Sequence, residues 1–237
     1  MEYLKINTLW KRVGCEPDAD GKFVQKSDQP RKGTIVEGVY SDPAYHLLKF
    51  WEFEEKIDGT NIRVIFTRDN NGESRVTFGG RTNDAQIPAS LIQMLMHKFP
   101  HERLVEKFPE TGTVVLFGEG IGPKIGAGEQ FRDYACFFMF DAYIDGWWLS
   151  RPNVNDIAGY FGVERPHYFG TETTENIVDF IKHKPRSYSS MKLCDMEGIV
   201  ARTSEGLLTR KGEPLMWKLK IKDYKHVPSE WKLREYK

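Results

Sequence analysis

Between Leu48 and Phe66 the chain carries the pattern that most limits its fold. Trp51, Phe53, Glu55 and Ile57 share one parity. After Asp58-Gly59 a second run holds Val64, Ile65 and Phe66. A period of two sends alternate side chains to opposite faces of a strand. Two strands separated by a tight Asp-Gly turn are therefore expected here. Similar short runs at Val76–Phe78, Val114–Phe117, Cys136–Tyr143, Gly198–Arg202 and Met216–Ile221 read as further strands. Helical spacing appears at Ala89–Phe99, where Pro100 stops it, and again at Asn153–Phe161 and Thr174–His183. The polar stretch from Gly14 to Gly38 reads as loops. Strands do not alternate regularly with helices, so a doubly wound dinucleotide fold is disfavoured. The expected class is α+β, with antiparallel sheets and flanking helices.

Composition narrows the partners. The 237 residues carry 34 basic and 34 acidic side chains, a net charge of zero. The balance is uneven along the chain: residues 182–237 hold 14 Lys or Arg against 7 Asp or Glu. A basic terminal quarter is suited to phosphate contacts, and equally to a solvated face. No apolar run approaches the ~18 residues of a membrane span, and Met1–Trp10 lacks the form of a secretory signal. Cys15, Cys136 and Cys194 are odd in number and widely spaced, which suits reduced thiols in a cytoplasmic protein. The six histidines form no metal-binding cluster.

Two motif-like stretches fail on spacing. Asp18-Ala19-Asp20-Gly21 lacks the later glycine and closing glutamate of a calcium loop. Gly118-Glu119-Gly120-Ile121-Gly122 lacks the Gly-Lys-Ser/Thr end of a P-loop, and Pro123 stands where a dinucleotide fingerprint needs glycine.

Lys56-Ile57-Asp58-Gly59 points to chemistry. A lysine is a nucleophile only as the free amine. With an ordinary pKa of about 10.4, only about one in a thousand is neutral near pH 7.4. A site must lower that value by burial or by neighbouring positive charge. A strand leading into a tight turn would hold such a lysine at the mouth of a pocket. Taken alone, the tetrad equally describes a surface lysine before a turn.

The later segments change the weighting. Glu55-Lys56-Ile57-Asp58-Gly59-Thr60-Asn61 is similar to the nucleophile motif of the covalent nucleotidyltransferase superfamily, which comprises ATP-dependent DNA and RNA ligases and mRNA capping enzymes. Gly80-Arg81-Thr82 resembles its segment whose arginine contacts ribose and the acceptor end, and Leu116-Phe117-Gly118-Glu119 its ribose-binding motif. Phe138-Met139-Phe140-Asp141 resembles the strand with an adenine-stacking aromatic. Glu197-Gly198-Ile199-Val200 resembles the metal-binding motif, and Trp217-Lys218-Leu219-Lys220 the phosphate-binding lysine pair. The motifs keep the family's order over residues 55–220. With Ile6-Asn7-Thr8-Leu9-Trp10-Lys11-Arg12 at the start, the chain is most similar to the ATP-dependent RNA ligase family.

That resemblance implies a nucleotidyltransferase domain and a role for each matching residue. Lys56 would attack the α-phosphorus of ATP and form lysyl-AMP. Lys218 and Lys220, two apart on one strand face, would neutralise the α-phosphate and lower the pKa of Lys56, with Trp217 and Leu219 turned into the core. Glu197 would hold Mg²⁺ or Mn²⁺, hard cations that take oxygen ligands. Glu119 would accept from ribose hydroxyls, Phe140 would stack on adenine, and Arg81 would bind phosphate or ribose. Glu55 and Asn61 complete the implied ATP-binding set. ATP is then the substrate, and the partners are RNA ends bearing a 5′-phosphate and a 3′-hydroxyl, with no obligate protein partner evident.

Two departures bear on the branch. Some RNA ligases that seal duplex nicks carry histidine where this chain has Asp58. Only 17 residues follow Lys220, too few for the OB-fold or helical domain that many relatives append. The expectation is one minimal adenylyltransferase domain over residues 1–237. The rival functions are a small ATP-dependent DNA ligase, a capping guanylyltransferase, or a non-catalytic RNA-binding module on the same fold.

Overall fold

The computed structural model describes residues 1–12 and 34–224. Most of the stretch expected as loops, with Cys15 in it, lies outside these residues, as do Lys225 and Lys232. Its last part, however, is the strand β3 (Ile35–Tyr40), which pairs with β2 (Trp10–Arg12) in a small ribbon.

Two five-stranded sheets make up the body. In the first, β1 (Asn7–Thr8), β12 (Met216–Lys220), β11 (Gly198–Arg202), β4 (Phe50–Lys56) and β10 (Tyr168–Thr173) lie side by side in that order. Only the β1–β12 pairing is parallel. In the second, the order is β6 (Ser74–Gly79), β5 (Thr60–Arg68), β7 (Thr113–Ile121), β8 (Cys136–Ile144) and β9 (Trp147–Trp148), antiparallel throughout. The fold is α+β with antiparallel sheets and flanking helices, as the sequence pattern indicates.

Each sheet has its own apolar core. Trp51, Phe53, Ile199, Ala201, Trp217 and Leu219 come from alternate positions of β4, β11 and β12. They pack with Leu9, Tyr45 and the Ile177 and Ile181 face of α4 (Thr174–Lys182). Ile62, Val64, Phe66, Val114 and Leu116 from the second sheet pack against α1 (Ala89–Lys98), α2 (His101–Lys107) and α3 (Arg151–Phe161). Removing from water a large apolar side chain such as Trp217 or Phe66, both fully buried, contributes about 1.5–3 kcal/mol. The alternate residues are committed to the cores, and the opposite faces, which carry the charged side chains together with apolar ones such as Phe140 and Val200, meet at a cavity.

The helix ends show where sequence and structure part. Pro100 ends α1 but also opens α2, because a proline costs no hydrogen bond at a helix start. The sequence pattern gave no helix there. α3 begins two residues ahead of Asn153, with Pro152 in its first turn, and ends at Gly162 in the left-handed region at φ 61°. Thr173 caps α4 by accepting from the Asn176 N–H. β10 has little apolar alternation and bulges at Gly170, so it left no clear strand pattern.

β4 and β5 do not pair with each other. At Asp58-Gly59 the chain leaves the first sheet and enters the second. The expected turn is thus the crossing between sheets, and it sets Lys56 in the gap between them. Among the described residues no helix is long and apolar enough to cross a membrane.

Candidate active site

The gap between the facing sheets is a cavity of about 320 Å³. From the first sheet Glu54, Lys56, Val200, Arg202 and Lys218 reach it; from the second, Asn61, Glu119 and Phe140. Arg81 comes from the loop after β6, and Tyr3, Leu4 and Ile6 come from the N-terminal segment. The parity that buries Trp217 and Leu219 turns Lys218 and Lys220 inward.

Glu197 ties the lysines together. One of its oxygens accepts from Lys56 Nζ at 2.7 Å and the other from Lys220 Nζ. Lys56 was expected to have a lowered pKa, but the reverse holds. Burial does push its ammonium toward neutrality, yet Glu197, Glu119 and Asp58 together outweigh burial, and the pKa is raised. The lysine whose pKa falls is Lys218, to about 8, through burial and repulsion by Lys56, Lys220 and Arg81. A pair of carboxylate oxygens stands between Lys56 and Lys220, whereas among the described residues Lys218 has no such hydrogen-bonded partner.

Glu119 faces the turn after the nucleophile. Burial lifts its carboxyl to about 7, helped by Glu197 and Asp58 and opposed by Lys56. Its Oε1 accepts from the Gly59 N–H at 3.3 Å. Gly59 itself has no room for a side chain: a Cβ would lie 2.3 Å from the Gly120 carbonyl oxygen and 2.6 Å from Ile121 Cγ2. Gly59→Ala should therefore destabilise the protein by about 1–3 kcal/mol or more. Urea unfolding checks this, and an unchanged midpoint would contradict so close an approach.

Phe140 is half-buried in the cavity wall, its ring 5.0 Å from that of Tyr3. Asn61 pairs with Glu119 across β5 and β7, and its buried side-chain oxygen has no hydrogen-bond partner among the described residues. Arg81 is exposed at the mouth. Glu55 borders the cavity, but its carboxylate is turned elsewhere. It accepts from Ser187 Oγ at 2.5 Å, Tyr188 N at 3.0 Å and Ser189 N at 2.8 Å. Its side chain thus moors the 187–189 loop beside the nucleophile rather than presenting a free carboxylate to a nucleotide. Lys222, which continues the parity of Lys218 and Lys220, leaves their face because β12 ends at Lys220 in a short 3₁₀ turn. It borders a separate hollow with Asp58, Lys184 and Glu197.

Sequence reasoning missed the ionic network at the other end of the cavity. Arg202 donates to Asp141 and, at 3.2 Å, to Glu54. Glu54 also accepts from Arg151 at 2.7 Å and lies 3.7 Å from Arg165. The Tyr3 hydroxyl donates to Asp141. Glu54 and Asp141 are buried, and removing the partner of a buried charge costs ~3–5 kcal/mol. Parity was the available signal: Glu54 is two residues from Lys56, and Arg202 two from Val200.

The sequence profile of a family described as RNA ligase matches residues 49–220. The chain belongs to the RNA ligase family. Its site residues from Glu55 to Lys220 fall within the matched span. No curated protein is matched. Among solved structures, a variant of the Naegleria gruberi RNA ligase with ATP and Mn is similar at TM-score 0.58 and 18% identity, over 95% of this chain and 63% of that one. The same organism's RNA ligase with PPi gives TM-score 0.58 and 18% identity, over 94% and 62%. A further variant, with AMP and Mn, gives 0.58 and 19%, over 94% and 62%. At these identities the likeness is one of fold, and the chain spans about three-fifths of the length of those ligases.

The donor set also fits the divalent cation that the RNA ligase family implies. Among the described residues no three His, Cys, Asp or Glu side chains form a protein cage. Magnesium in phosphate sites takes one or two carboxylates and completes its shell with phosphate oxygens and water. Glu197, with Glu119 and Asp58 close enough to act on the same amine, provides such oxygens.

Proposed function

We propose that the protein is an ATP-dependent RNA ligase whose nucleophile is Lys56. The observation that carries this reading is the Lys56–Glu197–Lys220 array at the edge of an intersheet cavity, with Lys218 beside it on the same face. Glu119 and Asn61, whose side-chain oxygen has no hydrogen-bond partner among the described residues, offer polar contacts to a ribose, and Phe140 and Val200 offer apolar faces to adenine.

On this reading the reaction consists of three transfers. Lys56 Nζ loses its proton and bonds to the α-phosphorus of ATP, while the bond to pyrophosphate breaks in line. A 5′-phosphate oxygen of the donor RNA then takes the AMP from the lysine. Finally the 3′-hydroxyl of the acceptor attacks the activated 5′-phosphorus and AMP departs. Moving Glu197 away from Lys56 removes the strongest charge that holds the proton there. Burial and the neighbouring lysines then favour the free amine. Lys218 and Lys220 screen the phosphate, as positioning and charge neutralisation do in phosphoryl transfer generally. A divalent cation held by Glu197 would supply further neutralisation at the transferring phosphate.

RNA contacts are assigned to the basic surface outside the cavity, including Lys182 and Arg186, with Lys225 and Lys232 beyond the described residues. Replacing these four by alanine should leave lysyl-AMP formation intact and slow the sealing of a pre-adenylated RNA. The defect should be largest at low salt and narrow as salt rises, because a variant with fewer phosphate contacts releases fewer counterions. Adduct yield and single-turnover sealing, measured separately across a salt series, test this. Equal defects in both assays, or none in sealing, would place the RNA elsewhere. Matched DNA ends sealed as fast as RNA ends would favour a DNA ligase.

A further inference from the structure

Arg63 is 1% exposed in the middle of β5 and points toward the gap between the sheets. Its guanidinium donates to three neutral oxygens from two distant stretches of chain: the Gly80 carbonyl at 2.7 Å and Asn83 Oδ1 at 3.0 Å in the loop after β6, and the Met1 carbonyl at 2.6 Å. Gly80 and Asn83 flank Arg81, which stands at the cavity mouth. Met1 begins the N-terminal segment, from which Tyr3, Leu4 and Ile6 line the cavity. That segment is held again at its far end, where β1 pairs with β12 and the Leu9 N–H donates to the Lys218 carbonyl at 3.1 Å. A buried cation is costly unless its donors are satisfied. Arginine presents five in a rigid planar fork, which lysine cannot reproduce. Gly79, opposite Arg63 on β6, leaves the space the fork needs, since a Cβ there would lie 2.9 Å from Nη2.

We infer that Arg63 is a positioning residue for nucleotide binding: one guanidinium fixes both the N-terminal wall of the cavity and the loop that carries Arg81. The inference rests on the proposed reading of the cavity as an ATP site. The groups that perform the transfer, Lys56, Glu197, Lys218 and Lys220, lie on or beside strands of the first sheet, whereas Arg63 braces the walls from the second. Its loss therefore acts on ATP affinity more than on the maximal rate of the bound complex.

The test uses Arg63→Met, Arg63→Lys and Gly79→Ala, the last of which displaces the fork while keeping the arginine. ATP binding is measured by equilibrium dialysis in the Lys56→Ala background, and adduct formation with Lys56 intact is followed as a function of ATP concentration. All three variants should bind ATP about tenfold or more weakly, with the maximal adduct rate changed much less, and lysine should fail to rescue. Asn83 is exposed, so Asn83→Ala serves as a variant that keeps its fold and should show a smaller shift in the same direction. Folded variants that bind ATP as the parent does would overturn the inference, as would a loss in maximal rate with affinity unchanged. If the parent binds ATP without forming an adduct, the lysyl-AMP reading fails while the dialysis series still decides the role of Arg63.

Discussion

Glu197→Ala should form lysyl-AMP at least about 100-fold more slowly than the parent at saturating Mg²⁺, the usual size of a lost transition-state contact. Two effects of the change oppose each other. Glu197 is the strongest of the charges that raise the Lys56 pKa, so its removal frees more of the amine. That gain is at most tenfold for each unit of lowered pKa. Against it stands the loss of the group that holds Lys56 at 2.7 Å, also holds Lys220, and offers oxygens to a cation. The second effect is larger, so the rate should fall. The pH profile separates the two. A group whose pKa is raised in the folded protein keeps its proton to higher pH, and releasing that hold lets it deprotonate earlier. Scaled to its own plateau, the slow variant should therefore rise at lower pH than the parent. A variant as fast as the parent would show that Glu197 only restrains the lysine.

The lysine pair was legible because a strand reports its own faces. Trp217 and Leu219 had to go inward to the first core, which left Lys218 and Lys220 for the opposite side. The same reasoning joins Lys56 to Trp51 and Phe53, and the motif order places Arg81, Glu119, Asn61 and Phe140 around one cavity. The direction of the Lys56 pKa was not legible. It depends on Glu197, 141 residues away, presenting its carboxylate to two lysines at once. The Arg202–Asp141–Glu54 network and the Arg63 brace were hidden for a related reason. A buried charge leaves no periodic trace, and its partners come from distant parts of the chain. Tyr3 reaches the site on a segment held at Met1 by Arg63 and at β1, which adds in parallel to β12 at the opposite end of the sequence. Glu55 is next to Lys56 in sequence but not on its face. Successive strand residues point to opposite faces, and its carboxylate binds the 187–189 loop instead.

The second large effect concerns Lys56 itself, and it can be separated from loss of fold. Lys56→Arg keeps a positive charge for Glu197 in a side chain only partly exposed. Arginine stays protonated at any pH the fold tolerates, so it has no free electron pair to give. It should preserve stability better than Lys56→Ala, yet both should lose adduct formation completely. Sealing of pre-adenylated RNA should persist in part, since that substrate arrives already activated. Transfer of label from ATP to the arginine variant would mean that another residue is the nucleophile.

The most direct measurement is incubation of the protein with α-labelled ATP and Mg²⁺, followed by mapping of the label to a peptide. If Lys56 is the nucleophile, AMP appears as a phosphoramidate on the peptide that contains Lys56, is released as the 5′-phosphate end of an RNA is added, and is absent from Lys56→Ala. Label on a peptide without Lys56, or full labelling of Lys56→Ala, would contradict the assignment.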